Sequence, residues 1–318
     1  MWVKKGLIFN TDNNHEWMVS HACVPTAILL PGDKIRIYFA PRNAKGQSIP
    51  TFIEVAAQDP SQVLYIHDKP VLALGRLGTF DDGGIMPCAL VVAEDRILMY
   101  YVGWNPSVSV PYRNAVGLAV SSDGGVSFDR LFEGPVVDRN KLEPYFTASP
   151  CVLKDGNQWH MWYASSTGFV VANGKPEPIY VIKYASSVDG IEWDRQNITC
   201  IYPKSEFEAN ARPTVIKEAG VFRMWFTFRG SFDYRDGSDS YRIGYAESPD
   251  GIFWKRIDEK AGIDVSSEGW DSKMLTYPYV LSYKDRKYLF YNGNGFGKTG
   301  IGYAVDKKTE SYDRDSKV

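Results

Sequence analysis

The sequence predicts an all-β, five-bladed β-propeller, and three observations carry that prediction. A block in which a proline opens a short apolar strand recurs at Pro25, Pro87, Pro150, Pro213 and Pro278, at separations of 62, 63, 63 and 65 residues by subtraction. A regular period of this length is the mark of a repeat architecture. Each block holds three or four short aromatic and β-branched runs bounded by Gly, Asn and Asp, the pattern of antiparallel strands joined by hairpins. The last block lacks a fourth strand, and a spare apolar strand, Trp2 to Phe9, stands at the N-terminus.

The third block is the template. Ser149 to Leu153 reads as a first strand, Asp155-Gly156-Asn157 as a turn, Trp159 to Ala164 as a second strand and Tyr180 to Ala185 as a third. Ser187-Val188-Asp189-Gly190 turns the chain, and Ile191-Glu192-Trp193 opens the fourth. Second strands elsewhere span Ile35 to Phe39, Ile97 to Val102, Phe222 to Thr227 and Lys287 to Tyr291. Third strands span Ala115 to Val120, Tyr241 to Ala246 and Gly300 to Val305. The turns Ser122 to Gly125 and Ser248 to Gly251 repeat the Asp-Gly signal, which supplies the positive φ of a tight hairpin. Phe128, Trp193 and Trp254 follow these turns and are expected to pack between blades. Four strands per block make a propeller blade. The blades fall at about 17–75, 76–138, 139–202, 203–262 and 263–305, with 2–9 closing the ring and 1–318 forming one domain. After Val305 the run Asp306 to Glu310 reads as a charged loop.

Composition narrows the function. The formal net charge is −2 with both signs interspersed, which argues against a nucleic-acid partner. No apolar stretch approaches the roughly 20 residues of a membrane span, and the N-terminus lacks the pattern of a signal peptide. The expected location is cytoplasmic. Cys23, Cys88, Cys151 and Cys200 are read as free thiols of a reducing compartment. Neither they nor His15, His21, His67 and His160 have metal-ligand spacing, so no metal or cofactor is expected.

Loops leading into the innermost strands of a propeller converge at its axis, so the residues before each block proline are the candidate site. Four of these loops bring an acid: Asp82, Glu143, Glu208 and Asp271. Glycosidic bond cleavage needs an acid to protonate the leaving oxygen and a second carboxylate as base or nucleophile. Crowding raises one carboxyl's pKa so that it stays protonated. Asp82 and Glu208, each five residues before its proline, are the expected acid–base pair, with Glu143 and Asp271 tuning or binding. The alternative is that acids merely solvate the loops.

Sugar-binding residue types follow the second strands: Trp104, Tyr112 and Arg113 in a proline-rich loop, Tyr163 and the loop to Tyr180, then Arg229, Tyr234, Arg235 and Tyr241, and finally Asn292, Asn294 and Phe296. Aromatic faces pack on sugar C–H faces while Arg and Asn bond hydroxyls, a mixture typical of small-ligand pockets. His21 adds a polar group from the first block. Arg212 and Arg229 near an axis require a carboxylate partner, Glu208 or Asp82, or else an anionic ligand.

With these blocks in view, the chain resembles the five-bladed propeller glycoside hydrolases, families 43 and 32 and the related family 130. The phrases Ile182 to Ser187 and Ile243 to Ser248, each followed by Asp-Gly-Ile-x-Trp, carry the likeness, which spans roughly Trp17 to Val305. It is nearest to uncharacterised glycosidase-like proteins associated with surface-polysaccharide synthesis. The resemblance implies a carbohydrate-active enzyme acting on a glycosidic or activated-sugar bond. Those families place an aspartate directly before an inner-strand proline, whereas the acids here lie five to seven residues upstream. The rival reading is a non-catalytic propeller that binds a sugar, glycan or nucleotide sugar; a purely structural ring is a third.

Overall fold

The computed structural model describes residues 1–12, 14–93 and 95–306. The run from Lys307 to Glu310, read above as a charged loop, lies outside the described residues.

Five four-stranded antiparallel sheets form a five-bladed propeller. Strand β1 (Trp2–Phe9) leads the chain. Blade one holds β2 (Ser20–Leu30), β3 (Lys34–Arg42), β4 (Thr51–Ala56) and β5 (Val63–Ile66). Blade two holds β6 (Gly84–Ala93), β7 (Arg96–Pro106), β8 (Tyr112–Ser121) and β9 (Asp129–Arg130). Blade three holds β10 (Thr147–Asp155), β11 (Gln158–Ala172), β12 (Lys175–Ser187) and β13 (Asp194–Ile201). Blade four holds β14 (Ala209–Glu218), β15 (Val221–Arg229), β16 (Arg242–Ser248) and β17 (Lys255–Arg256). Blade five holds β18 (Thr276–Tyr283), β19 (Arg286–Asn292) and β20 (Ile301–Asp306). The N-terminal strand completes it: β1 pairs antiparallel with β20, Val3 opposite Val305. This closes the ring and covers an edge that would otherwise invite aggregation.

The sequence repeat writes the contacts between blades. Ser187 Oγ accepts the Gly190 N–H at 2.9 Å, and Asp189 Oδ1 accepts those of Ile191 and Glu192 at 2.8 and 3.0 Å. The same Ser–Asp–Gly arrangement recurs around Asp123 and Asp250. Each turn offers a glycine carbonyl to the preceding blade: Gly125 to Tyr38, Gly190 to Tyr100 and Gly251 to Trp162, all at 2.6 to 2.7 Å. Phe128, Trp193 and Trp254 then sit edge-on against those same three side chains, so they do pack between blades. A ring pair at this separation adds about 1 kcal/mol beyond area burial.

Two differences from the sequence reading bear on the site. Trp104 and Tyr112 lie in paired strands, opposite Asn114 and Pro106, rather than in a loop. The stretch from Ser165 to Ile179 is a long β11–β12 hairpin turning at Asn173-Gly174, where both residues have positive φ.

The innermost strands share a bulge. Val24, Ser149, Arg212 and Tyr277, each directly before a block proline, have φ of 60°, 49°, 49° and 54°. The register slips across each of them, and blade two slips between Pro87 and Ala89. Left-handed backbone at a β-branched valine is a sterically costly conformation, of the order of 1–3 kcal/mol, that only its surroundings sustain. The bulge re-aims the side chain before the proline. Val24, Met86, Ser149 and Tyr277 consequently line one axial cavity. No helix among the described residues is long and apolar enough to cross a membrane.

Candidate functional site: an aromatic, arginine-bearing axial cavity

A cavity of about 310 Å³ opens where the five blades meet. An aromatic wall runs around it. Tyr112 from β8 packs on Phe146 at 6.0 Å, and Phe146 on Tyr180 of β12 at 6.3 Å. The Tyr180 hydroxyl meets that of Tyr241 at 2.5 Å, and Tyr241 packs edge-on against Phe296 at 5.9 Å. Burial first, then Tyr180 and Glu177, pushes the Tyr112 hydroxyl well above its ordinary pKa, so it stays a neutral donor. Burial does the same for Tyr277.

Behind the wall, Arg229 at the end of β15 holds the tyrosines in place. Its Nε donates to the Tyr180 and Tyr241 hydroxyls at 3.3 and 3.2 Å. Nη1 donates to the Gly230 carbonyl at 2.7 Å and Nη2 to the Pro178 carbonyl at 2.8 Å. The Tyr234 ring lies over its guanidinium at 3.8 Å. Glu177, on the β11–β12 hairpin, accepts from the Tyr234 hydroxyl at 2.5 Å and from Arg235 at 2.7 Å. The long hairpin and the loop after β15 are thereby locked together beside the cavity.

Arg212 lies at the axis, fully buried. Its Nη1 donates to the Cys88 carbonyl at 2.7 Å, and its Nη2 to the Pro25 carbonyl and Thr26 Oγ1 at 3.1 and 3.0 Å. Its guanidinium also lies over the Tyr279 ring. Of the alternatives the sequence left open, the carboxylate partner is not found among the described residues, since neither Glu208 nor Asp82 reaches it; backbone oxygens of blades one and two and the Thr26 hydroxyl take that role.

The four candidate acids do not meet at the axis. Glu143 accepts from the Tyr163 hydroxyl at 2.9 Å, with Arg195 at 3.6 Å and Lys183 at 3.8 Å. Asp271 accepts from the Tyr291 hydroxyl at 2.9 Å and from Lys4 at 2.7 Å. Glu208 accepts from Arg256 at 2.5 Å, and that guanidinium lies over the Phe226 ring. In blade two the corresponding acid is Asp81, bound by the Tyr101 hydroxyl at 3.0 Å and by Arg130 at 2.8 Å. Asp82, its neighbour, accepts the Gly78 N–H within its own loop. Each buried acid therefore ties the loop before the inner strand to the second strand or to a cation on the outermost strand. Arg130, Arg195 and Arg256 stand in or beside β9, β13 and β17, and Lys4 stands in β1. The clasp recurs from blade to blade and is itself part of the repeat.

The remaining candidates divide. Trp104, Tyr112, Arg229 and Tyr241 line the cavity. Arg113 does not: strand alternation turns it away while Tyr112 and Asn114 face in, and its Nε contacts Ser107. Tyr163 belongs to the Glu143 clasp. Asn292 braces the backbone, accepting from the Val24 N–H and donating to the Ala22 and Gly300 carbonyls. Asn294 caps its own loop through the Lys273 N–H and the Gly269 carbonyl. His21, with a φ of 64°, is half-buried beside Ser20; burial, then Arg42 and Lys298, lowers its pKa to about 4. Sequence reading passed over Arg42, Ser48 and Asn114 in the lining and Glu177 behind it. The signal for Arg42 was the repeat itself: it faces Ser20 across β2–β3 as Arg229 faces Ala209 across β14–β15.

No protein-family model matches the chain. It is 38% identical over 305 residues, 96% of this chain and 98% of the relative, to the uncharacterized Mycobacterium tuberculosis protein Rv1502, and equally to its counterpart MT1551 in a second strain. Among solved structures it is similar to one described as a glycoside hydrolase, with a TM-score of 0.72 at 17% identity over 96% of this chain and 91% of that one. It is also similar to a Bacteroides ovatus structure described as a putative glycoside hydrolase, with a TM-score of 0.70 at 16% identity over 91% and 87%. Glycoside hydrolases of families 43, 130 and 32 share the fold. What these structures have in common with the chain is the five-bladed propeller fold.

Proposed function

Given that the chain belongs to the family of the uncharacterized mycobacterial protein Rv1502, we propose that it recognises a single sugar unit in the axial cavity and does not hydrolyse it by a two-carboxylate mechanism. One observation carries this reading: the cavity lining holds three arginines and no Asp or Glu among the described residues. Asp81, Glu143, Glu208 and Asp271 are held in clasps with Arg130, Arg195, Arg256 and Lys4, and Asp82 accepts a loop N–H outside the cavity lining. A carboxylate bonded to a cation outside the cavity lining is not within hydrogen-bond reach of a glycosidic oxygen bound in it.

The cavity suits a sugar. Tyr112, Phe146 and Phe296 offer aromatic faces for C–H surfaces. The hydroxyls of Tyr112, Tyr277 and Ser149 and the amide of Asn114 have no side-chain hydrogen-bond partner among the described residues, and all four residues line the cavity. Open donors and acceptors beside an apolar wall are what a polyhydroxyl ligand needs. At about 310 Å³ the volume stands at the lower end of the roughly 300–1,000 Å³ found for small-ligand sites. That supports one monosaccharide unit, alone or at a glycan terminus, over a nucleotide sugar with its base and two phosphates. The glycoside hydrolases sharing the fold support carbohydrate as the ligand class.

The test is a thermal-shift screen of monosaccharides and short glycans, run beside nitrophenyl glycoside release. Binding without release is expected, weakened about tenfold by Tyr112→Phe or Tyr277→Phe, the loss of one hydrogen bond. Release abolished by Asp82→Asn or Glu208→Gln would overturn the reading.

A further inference from the structure

We propose that the bound sugar carries a carboxylate, as a uronic acid does, and that Arg42 is the residue that binds it. This rests on the sugar-binding reading above and adds the charge of the ligand and its anchor.

The argument begins with two arginines at one register position. Arg229, in blade four, has its N–H groups taken up by two tyrosine hydroxyls and two backbone carbonyls, and an aromatic ring covers its face. Arg42, in blade one, lines the same cavity from an exposed position. Among the described residues it makes no hydrogen bond through its side chain, no ion pair and no ring contact. Arg235, the third arginine of the lining, is neutralised by Glu177. The cavity therefore presents one uncommitted guanidinium. Lys298, the other cation beside His21, is not among the lining residues.

One open guanidinium matches one planar monoanion. Its parallel N–H groups meet both oxygens of a carboxylate in a forked pair, a geometry an ammonium lacks. Among the described residues no Asp or Glu stands in the lining to repel the incoming charge, and Glu177 behind it is paired with Arg235. Tyr112 and Tyr277, neutral through burial, remain to bond the ring hydroxyls. Gly46 and Ser48 line the wall beside Arg42, leaving the rim there narrow-chained and open.

The experiment uses the full chain and calorimetry with glucuronate, galacturonate and N-acetylneuraminate against glucose, galactose and glucose 6-phosphate. At least one acid sugar should bind tenfold or more tightly than the neutral sugars and the phosphate. Arg42→Ala should erase that preference with an unchanged melting temperature, since the side chain is exposed and holds nothing. Arg42→Lys should restore only part of it. Equal affinity for neutral sugars, preference for the phosphate, or an acid preference that survives Arg42→Ala would each overturn the assignment while leaving sugar recognition intact. No binding by any of the six would overturn both.

Discussion

The Arg212 guanidinium of blade four donates to the Cys88 carbonyl of blade two across the propeller axis, at 2.7 Å. A fully buried arginine with backbone oxygens as its main acceptors acts as a spoke joining blades that are not neighbours in sequence. Removing it leaves the Cys88 and Pro25 carbonyls without that donor, at about 1–3 kcal/mol for a stranded buried group. It also relieves the cost of burying the charge and an Nε that has no partner. Arg212→Met is therefore expected to lose about 2 kcal/mol, read as a lower urea midpoint. Unchanged stability would mean that packing alone holds the axis.

The acid clasps make the opposite prediction to a catalytic role. Asp81→Asn and Glu143→Gln each remove a fully buried carboxylate charge from its cation, which costs about 3 kcal/mol. Ligand affinity should stay within twofold, because neither side chain reaches the cavity. Asp82→Asn, half-buried and bonded only to a loop N–H, should change stability by less than about 1 kcal/mol. Differential scanning fluorimetry beside ligand titration separates these outcomes. Loss of ligand binding in Glu143→Gln at full stability would return that acid to the site.

The architecture was legible because its signals are local. Asp-Gly turns, aromatic runs and a regular proline spacing each act within a few residues, and closure by Trp2 to Phe9 followed from a missing fourth strand. The site was harder, because loops of different length join each acid to its inner strand, so its distance from the proline varies while its place in the fold does not. Counting back from the proline selected Asp82, while the turn before β6 puts Asp81 beside Tyr101 and Arg130. Alternation likewise decided between Tyr112 and Arg113, once β8 proved to begin earlier than its apolar run. Arg42 and Arg229 share residue type and position. Only the tyrosines that blades three and four bring to Arg229 make their fates differ, and those contacts are tertiary.

His21 supplies a pH dependence with a definite sign. Its folded pKa of about 4 lies below the ordinary histidine value of 6.5, through burial first and then Arg42 and Lys298. The unfolded chain then binds more protons between pH 6.5 and 4, so stability falls as pH drops through that window and levels off below it. Partial exposure screens the effect, leaving about 1 kcal/mol. His67 and His160 are also lowered and add a background of the same sign. The quantity to measure is the difference between wild type and His21→Gln at pH 7 and pH 4.5. The variant should lose less stability on acidification, and parallel curves would remove His21 from the account.

Ring closure by β1 is the last point open to direct test. Trp2 is buried edge-on against Trp225 at 5.6 Å, Val3 pairs with Val305, and Lys4 closes the Asp271 clasp at 2.7 Å. Deleting Met1 to Phe9 removes all three at once and bares the ladder edge of β20, a strand whose residues Ile301 to Val305 are all buried. Unpaired N–H and C=O groups along an apolar strand template pairing with another chain. The truncated protein is expected to melt well below the parent and to elute as aggregate on size exclusion. A Lys4→Met variant, which keeps the strand and breaks only the clasp, should stay monomeric with a smaller loss of stability. A truncated chain as stable and monomeric as the parent would show that blades one to five hold together with three strands in the last.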